Sequence, residues 1–263
     1  MKHLQLNTSL LKSPDKVMEF IVANNIDIAC LQEICHPIDE QSPLESLCKK
    51  AGYEYLEQPH YYYLPNNNVL AEAIVSRFPI IDSMTIYYNG SNYRPKNISE
   101  TDLLGVIFDD APKSFPGSRG IKHVLKSRCI INSLIKTDSQ LLRLMTTHYH
   151  VSDLCTETIQ MYEMSQLISS LVHYAKDLPT IFSADLNIRP QSYSVALLEK
   201  ELTCHTQDFT DTLSKTHIAK LKDFPEGLAI DHVFSKGLQH ISTAGIEIDF
   251  SEHQAIVSEF AIN

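Results

Sequence analysis

The chain has 263 residues, 43% of them hydrophobic and 21% charged, the balance of an ordinary globular protein. No apolar run approaches the roughly 20 residues of a membrane span, and the opening MKHLQLNTSLL lacks the apolar core and small-residue cleavage site of a secretory signal. The net charge of −10 disfavours a processive, sequence-blind nucleic-acid binder, which needs Lys and Arg to neutralise phosphates, and favours a small or sparsely contacted partner.

The predicted elements alternate early and become hairpin-like late. HLQLNT reads as a first strand. SPDKVMEFIVANN is a helix with Ser13 as cap, Pro14 in its first position and Val17, Phe20 and Ile21 on one face. IDIACLQE is a buried strand ending at Glu33, and SPLESLCKKAG is a helix closed by Gly52. EYLEQPHYYYL and EAIVSRFPII read as strands, with PNNN as the turn between them. From Met84 to Lys126 the periodicity fades among Gly and Pro, which suits a functional or mobile loop. SRCIINSLIK and LLRLMTTHYH form a strand pair, TETIQMYEMSQLISSLVHYAKD a long amphipathic helix, and LPTIFSADLN a buried strand. After a helix over SYSVALLEKEL and a polar connection, the chain closes with strands around AIDHVFS, STAGIEIDF and AIVSEFAI. This pattern predicts mixed sheets covered by helices, in one domain over residues 1–263. The six cysteines form no CxxC pair and read as reduced, packed thiols, with Cys30 and Cys129 in the core. Cytoplasmic residence is the expectation, with signal-independent export left open. The lack of an apolar or basic membrane-binding helix disfavours a lipid surface.

Several strand ends carry polar residues that an apolar strand would otherwise exclude. Glu33 follows IACL; a carboxylate there is costly unless paired or bound to a cation, and Mg²⁺ or Mn²⁺ is the hard ion that carboxylates suit. Taken alone, a strand-end surface Glu is the commoner reading. Asn7 offers a neutral amide near the same ion, or a plain turn residue. Asp185 and Asn187, two apart in SADLN, place an acid that can take a proton from water beside an amide that can orient it; the alternative is an Asx turn. His148 and His150 in TTHYH face one way and form either a metal pair, as in a zinc hydrolase, or a phosphate donor and a rim residue. Asp231 and His253 read as a dyad in which the carboxylate fixes the imidazole tautomer, with Glu252 able to reach a metal or its water. Arg119, Lys126 and Arg128 in SRGIKHVLKSR are candidates for a second phosphate, and Tyr149 for a substrate contact.

In order along the chain, LQLN, LQE, AIVSRFPI, TTHYH, SADLN, AIDHVF and SEHQAIVSEF resemble the motif set of the endonuclease/exonuclease/phosphatase superfamily, the DNase I-like proteins. The resemblance runs from Asn7 to Phe260 and is nearest to bacterial members. It implies an α/β fold: a four-layer sandwich of two mixed β-sheets packed face to face, with helices on the outer faces. It also implies a divalent-metal-dependent hydrolase of phosphate esters that attacks phosphorus with an activated water. By position, Glu33 with Asn7 and Glu252 would hold Mg²⁺ or Mn²⁺, Asp185 would activate the water, and Asn187 would orient it. His148 and His253 would contact the phosphate, with Asp231 paired to His253 and Glu72 paired to the first histidine beside the substrate. Three positions depart from the pattern: Ala184 stands for Gly, Tyr149 for Leu and Glu252 for Asp. The extra methylene of Glu252 moves its carboxylate by roughly 1.5 Å, and a misplacement of about 1 Å can cost on the order of a hundredfold in rate. Weak activity, a shifted metal preference, or a binding protein without turnover are the readings this opens. Within the superfamily the loops choose the substrate. A nucleic-acid or nucleotide phosphodiester is preferred here, with a phosphoinositide phosphatase or sphingomyelinase-like lipid phosphodiesterase as the alternative.

Overall fold

Alternate residues along each central strand enter different cores, and this parity builds the architecture. In a computed structural model that describes residues 1–64, 67–88, 128–151 and 155–262, the strands are β1 (Lys2–Asn7), β2 (Ile28–Pro37), β3 (Glu54–Leu64), β4 (Asn68–Ser76), β5 (Ile80–Tyr88) and β6 (Arg128–Lys136). They continue as β7 (Leu141–His148), β8 (Thr180–Asp185), β9 (Thr203–Cys204), β10 (Asp231–Lys236), β11 (Gln239–Ile246) and β12 (Ala255–Ala261). The helices are α1 (Pro14–Ala23), α2 (Pro43–Lys50), α3 (Ile159–Tyr174), α4 (Tyr193–Leu198) and α5 (Ile218–Lys222). Two six-stranded sheets result, ordered β11-β12-β1-β2-β4-β3 and β5-β6-β7-β8-β10-β9. The β1–β2 and β7–β8 pairs are parallel and their sheet neighbours antiparallel, so both sheets are mixed.

In the first sheet Leu4, Leu6, Ala29, Leu31, Ala71 and Ala73 pack outward against Val17, Met18 and Ile21 of α1 and Leu44 and Cys48 of α2. In the second, Met145, Phe182, Ala184 and Phe234 pack outward against Met161, Met164 and Ile168 of α3 and Val195 and Leu198 of α4. The intervening positions, Ile28, Cys30, Ile74, Ile131, Leu144, Ile181, Val233 and Phe260, form the layer between the sheets. Each fully buried Leu, Ile or Val contributes roughly 1.5–3 kcal/mol, so the cores of this four-layer sandwich supply its driving force. The helices begin as their sequences require: Pro14 opens α1, Ser42 Oγ accepts from Leu44 N before α2, and Thr158 Oγ1 accepts from Met161 N before α3.

Three expectations change. The segment EAIVSRFPII is not one strand. β4 ends at Ser76, whose Oγ accepts from Phe78 N at 3.0 Å, and the chain then crosses to the other sheet as β5. Pro79, which cannot donate to a ladder, sits at that crossing. Strand β5 also runs through Met84 to Tyr88, so part of the expected loop is regular. Residues 89–127 lie outside the described residues, and with them Arg119 and Lys126. The polar connection after α4 contains β9 and α5. All six cysteines are free; Cys30, Cys48 and Cys129 are buried, and burial pushes the Cys30 thiol up to about 12. Among the described residues no helix is long and apolar enough to cross a membrane.

Candidate active site

Towards one end of the strands the layer between the sheets turns polar. On β1 the inward positions are His3, Gln5 and Asn7, because Leu4 and Leu6 go to the outer core. On β8 they are Ile181, Ser183 and Asp185, and on β10 they are Asp231 and Val233. Register sets Asp185 beside both Asp231 and His148. Two hydrogen bonds cross between the sheets in this layer, Ser183 Oγ to His3 Nε2 at 3.1 Å and Gln32 Nε2 to Thr146 Oγ1 at 3.0 Å, and within the first sheet Gln32 Nε2 donates to Gln5 Oε1 at 3.1 Å. Hydrogen bonds between polar groups at such depth pin the mutual position of the two sheets.

Beyond them the carboxylates converge. Asp231 Oδ2 accepts from His253 Nδ1 at 2.8 Å and from Thr212 Oγ1 at 2.9 Å, while its Oδ1 accepts from Gln5 Nε2 at 3.4 Å. Asp185 Oδ2 accepts from Asn7 Nδ2 at 3.0 Å, and it lies 3.5 Å from His148 Nε2 and 4.0 Å from His253 Nε2. Potential ligand atoms of Asp185, Asp231 and His253 all lie within 4.8 Å of one another. Asn7 is itself held, since its Oδ1 accepts from Ser9 N at 2.9 Å and its carbonyl accepts from Ser251 Oγ at 2.6 Å. Ser251 Oγ also accepts from His253 N at 3.0 Å, which ties the two ends of the chain at the site. Ser9, Leu10 and Leu11 adopt left-handed φ of 50°, 68° and 49°, a costly run for residues with Cβ atoms. The Ser9 hydroxyl, which accepts from Glu252 N at 2.8 Å, helps hold it.

These contacts determine the charge states. Burial, then the neighbouring Asp231 carboxylate, push Asp185 up to about 7. Burial alone would lower His253, but the charge and hydrogen bond of Asp231 raise it to about 9. Asp185, Asp231 and Glu33 therefore crowd negative charge around one imidazolium. An oxygen-rich set with surplus negative charge suits a hard divalent cation.

Glu33 reaches this group through a backbone irregularity. The β2–β4 register shifts between Leu31 and Ile34, and Glu33 takes a φ of 57°. Such a bulge re-aims a side chain that strict alternation would send to the outer face. The Glu33 charge acts on both Asp185 and His253. In SADLN, Asp185 joins the cluster, and its Oδ1 also accepts from Asn187 N at 3.0 Å as an Asx turn. The Asn187 amide Nδ2 is committed to Tyr149 O at 3.0 Å, so its first task is to brace the His148 strand end against β8.

Other expected residues stand elsewhere. The Glu252 carboxylate lies 3.4 Å from Lys12 Nζ, with side chains 45% and 61% exposed, so it turns to solvent and not to the carboxylates. His150 Nε2 bonds to Thr158 Oγ1 at 2.9 Å beside the α3 cap, so the zinc pair with His148 does not form. Tyr149 is 1% exposed, with its hydroxyl on Ser165 Oγ at 2.8 Å. It is a core residue, because His148 and His150 flank it on a strand whose other face meets α3. Arg128 is 3% exposed at the start of β6, not a surface cation. Glu72 is buried on the inward face of β4, opposite the β2 bulge, where burial first, and then its charge, push the Cys129 thiol up. Sequence reasoning missed Gln5, Gln32, Thr212 and Ser251. Gln5 and Gln32 carried a signal, as polar residues inside LQLN and ACLQE; Thr212 and Ser251 carried none.

No protein-family model and no curated protein matches the sequence. Solved structures do. An endonuclease/exonuclease/phosphatase from Beutenbergia cavernae matches with a TM-score of 0.71 at 14% identity, over 99% of this chain and 71% of that one. The fold is the DNase I-like fold of the endonuclease/exonuclease/phosphatase proteins. The human Nocturnin catalytic domain with bound sulfate matches at 0.63 and 15% identity, over 99% and 94% of the two chains. A mannosyl-6-phosphatase of Bacteroides thetaiotaomicron matches at 0.66 and 13% identity over 100% of each.

Proposed function

We propose that this protein is a divalent-metal-dependent hydrolase of phosphate esters, acting on a small phosphodiester such as a nucleotide or a short nucleic-acid end. The observation that carries the reading is the convergence of Asp185, Asp231 and His253 from distant parts of the chain to within 4.8 Å. The likeness to folds that include a mannosyl-6-phosphatase supports phosphate esters as the substrate class. The net charge of −10 supports a small phosphodiester over a long polyanion.

Glu33 would hold Mg²⁺ or Mn²⁺, with Asn7 keeping Asp185 in position beside it. Such an ion, when bound, neutralises phosphoryl charge and favours hydroxide over water. Asp185, whose Oδ2 stands 3.5 Å from His148 Nε2 and 4.0 Å from His253 Nε2, takes the proton of the attacking water. His253, held by Asp231 at Nδ1, offers a charged N–H at Nε2 to a phosphoryl oxygen, and His148 offers a second donor from the neighbouring strand end. Water attacks phosphorus directly and no covalent enzyme intermediate forms.

The test is a turnover panel of phosphodiesters and phosphomonoesters with and without EDTA. Turnover should vanish in EDTA and return with Mg²⁺. Asp185→Asn should lower kcat by about 10²–10⁴-fold, the range of a lost general base. EDTA-insensitive turnover, or a rate unchanged in Asp185→Asn, overturns the reading.

A further inference from the structure

His217, just before α5, packs its ring against His253 of the dyad. It caps that short helix with Nδ1, which accepts from Ala219 N at 3.1 Å. A ring nitrogen that accepts cannot carry a proton, so the single imidazole proton sits on Nε2. The ring stands edge-on to His253, with centroids 5.5 Å apart and planes at 86°. The ring therefore stands beside the Asp231–His253 dyad. No described residue accepts a hydrogen bond from its Nε2. A plain cap needs no imidazole, since Asn, Asp or Ser does this better. Histidine differs in having a second nitrogen on the far side of the ring.

The segment that carries His217 is rigidly attached to the dyad. Leu213 bridges His253, Thr212 bonds Asp231, and Gln254 Nε2 donates to Leu213 O at 3.1 Å. Leu213, Leu228 and Ile230 form a small core beneath it, and Lys220 pairs with Asp211 across it. Donors held this way lose little freedom on meeting a ligand.

We propose that His217 is a further substrate-contacting residue, a fixed N–H donor that binds a phosphoryl oxygen opposite His253. This rests on the phosphoester reading of the same site. The backbone N–H of Ala219 fixes the tautomer, His253 fixes the side from which the ligand is met, and the phosphoryl oxygen accepts from both rings.

The test separates cap from donor. His217→Asn keeps the cap and removes the Nε2 donor, while His217→Ala removes both. Inorganic phosphate binding is measured by calorimetry in Mg²⁺, with thermal unfolding of each variant and kcat/KM on the best ester of the panel. His217→Asn should unfold as wild type does yet bind phosphate about 10- to 100-fold more weakly, the effect of one hydrogen bond to a charged group. Its kcat/KM should fall by a similar factor. Binding and kcat/KM within twofold of wild type in His217→Asn overturn the proposal, as does a wild-type protein that binds no phosphate. Failure of the hydrolase reading looks different: wild type binds phosphate, His217→Asn binds it more weakly, and neither turns over any ester.

Discussion

Acid should loosen the two sheets at His3. This ring is buried between them with Nε2 on Ser183 Oγ at 3.1 Å, and burial pushes its titration down to about 3. In the unfolded chain the same ring titrates near 6.5. At pH 5 the unfolded chain therefore holds a proton on His3 that the folded chain does not. Stability rises with pH wherever the unfolded state binds more protons, so this contribution is complete above pH 6.5 and is lost as pH falls from 6.5 towards 3. Between pH 7.5 and 5 the unfolded ring gains about 1.5 logarithmic units of proton binding, which at about 1.4 kcal/mol per unit is about 2 kcal/mol. The figure hardly depends on where below 4 the folded ring titrates. His150 and His205, both lowered to about 4 by burial first, act in the same direction, and His253, raised to about 9, acts in the opposite one. A difference between two proteins cancels all three. Urea unfolding of wild type and His3→Gln, followed from pH 7.5 to 5, should show the wild type losing about 2 kcal/mol more than the variant. Gln is chosen because its amide can still donate to Ser183. Parallel stability curves for the two proteins would refute the buried neutral histidine and the linkage drawn from it.

Further expectations concern the site. Asp231→Asn should keep the fold, since an amide of the same shape remains beside Thr212 and Gln5. It should lower kcat by about 10- to 100-fold or more, because the imidazole loses the partner that orients it; an unchanged kcat on the best ester would sink the dyad. Glu252→Ala should leave kcat/KM within about twofold, as expected of an exposed ion pair worth under about 1 kcal/mol. A hundredfold loss would return Glu252 to the metal. Tyr149→Phe should cost about 0.5–1.5 kcal/mol of stability through its bond to Ser165 and leave turnover alone; reduced turnover with unchanged stability would make Tyr149 a substrate contact after all.

The sequence by itself determined the two-sided burial of β1, β2, β8 and β10 and the polar residues that interrupt it. Apolar positions of both parities announce a strand covered on both faces, and a polar residue at its end is costly unless it has a task. Asp185, Asp231, His148 and Asn7 were legible on that ground, as were the helices with their Ser–Pro openings. Only the tertiary structure decided which of these residues meet. Glu252 was read as a ligand because it adjoins His253, yet neighbours in an extended segment point to opposite sides, and Lys12 takes its carboxylate. Glu33 was expected at the site by position, and its backbone there takes a left-handed φ within a bulge that local pattern does not encode. The break of EAIVSRFPII at Arg77–Pro79 escaped for the same reason: both halves have strand-like periodicity, and only pairing partners assign them to different sheets. Thr212, Ser251 and His217 act through chain segments brought together by folding, and no spacing rule relates them to the residues they touch.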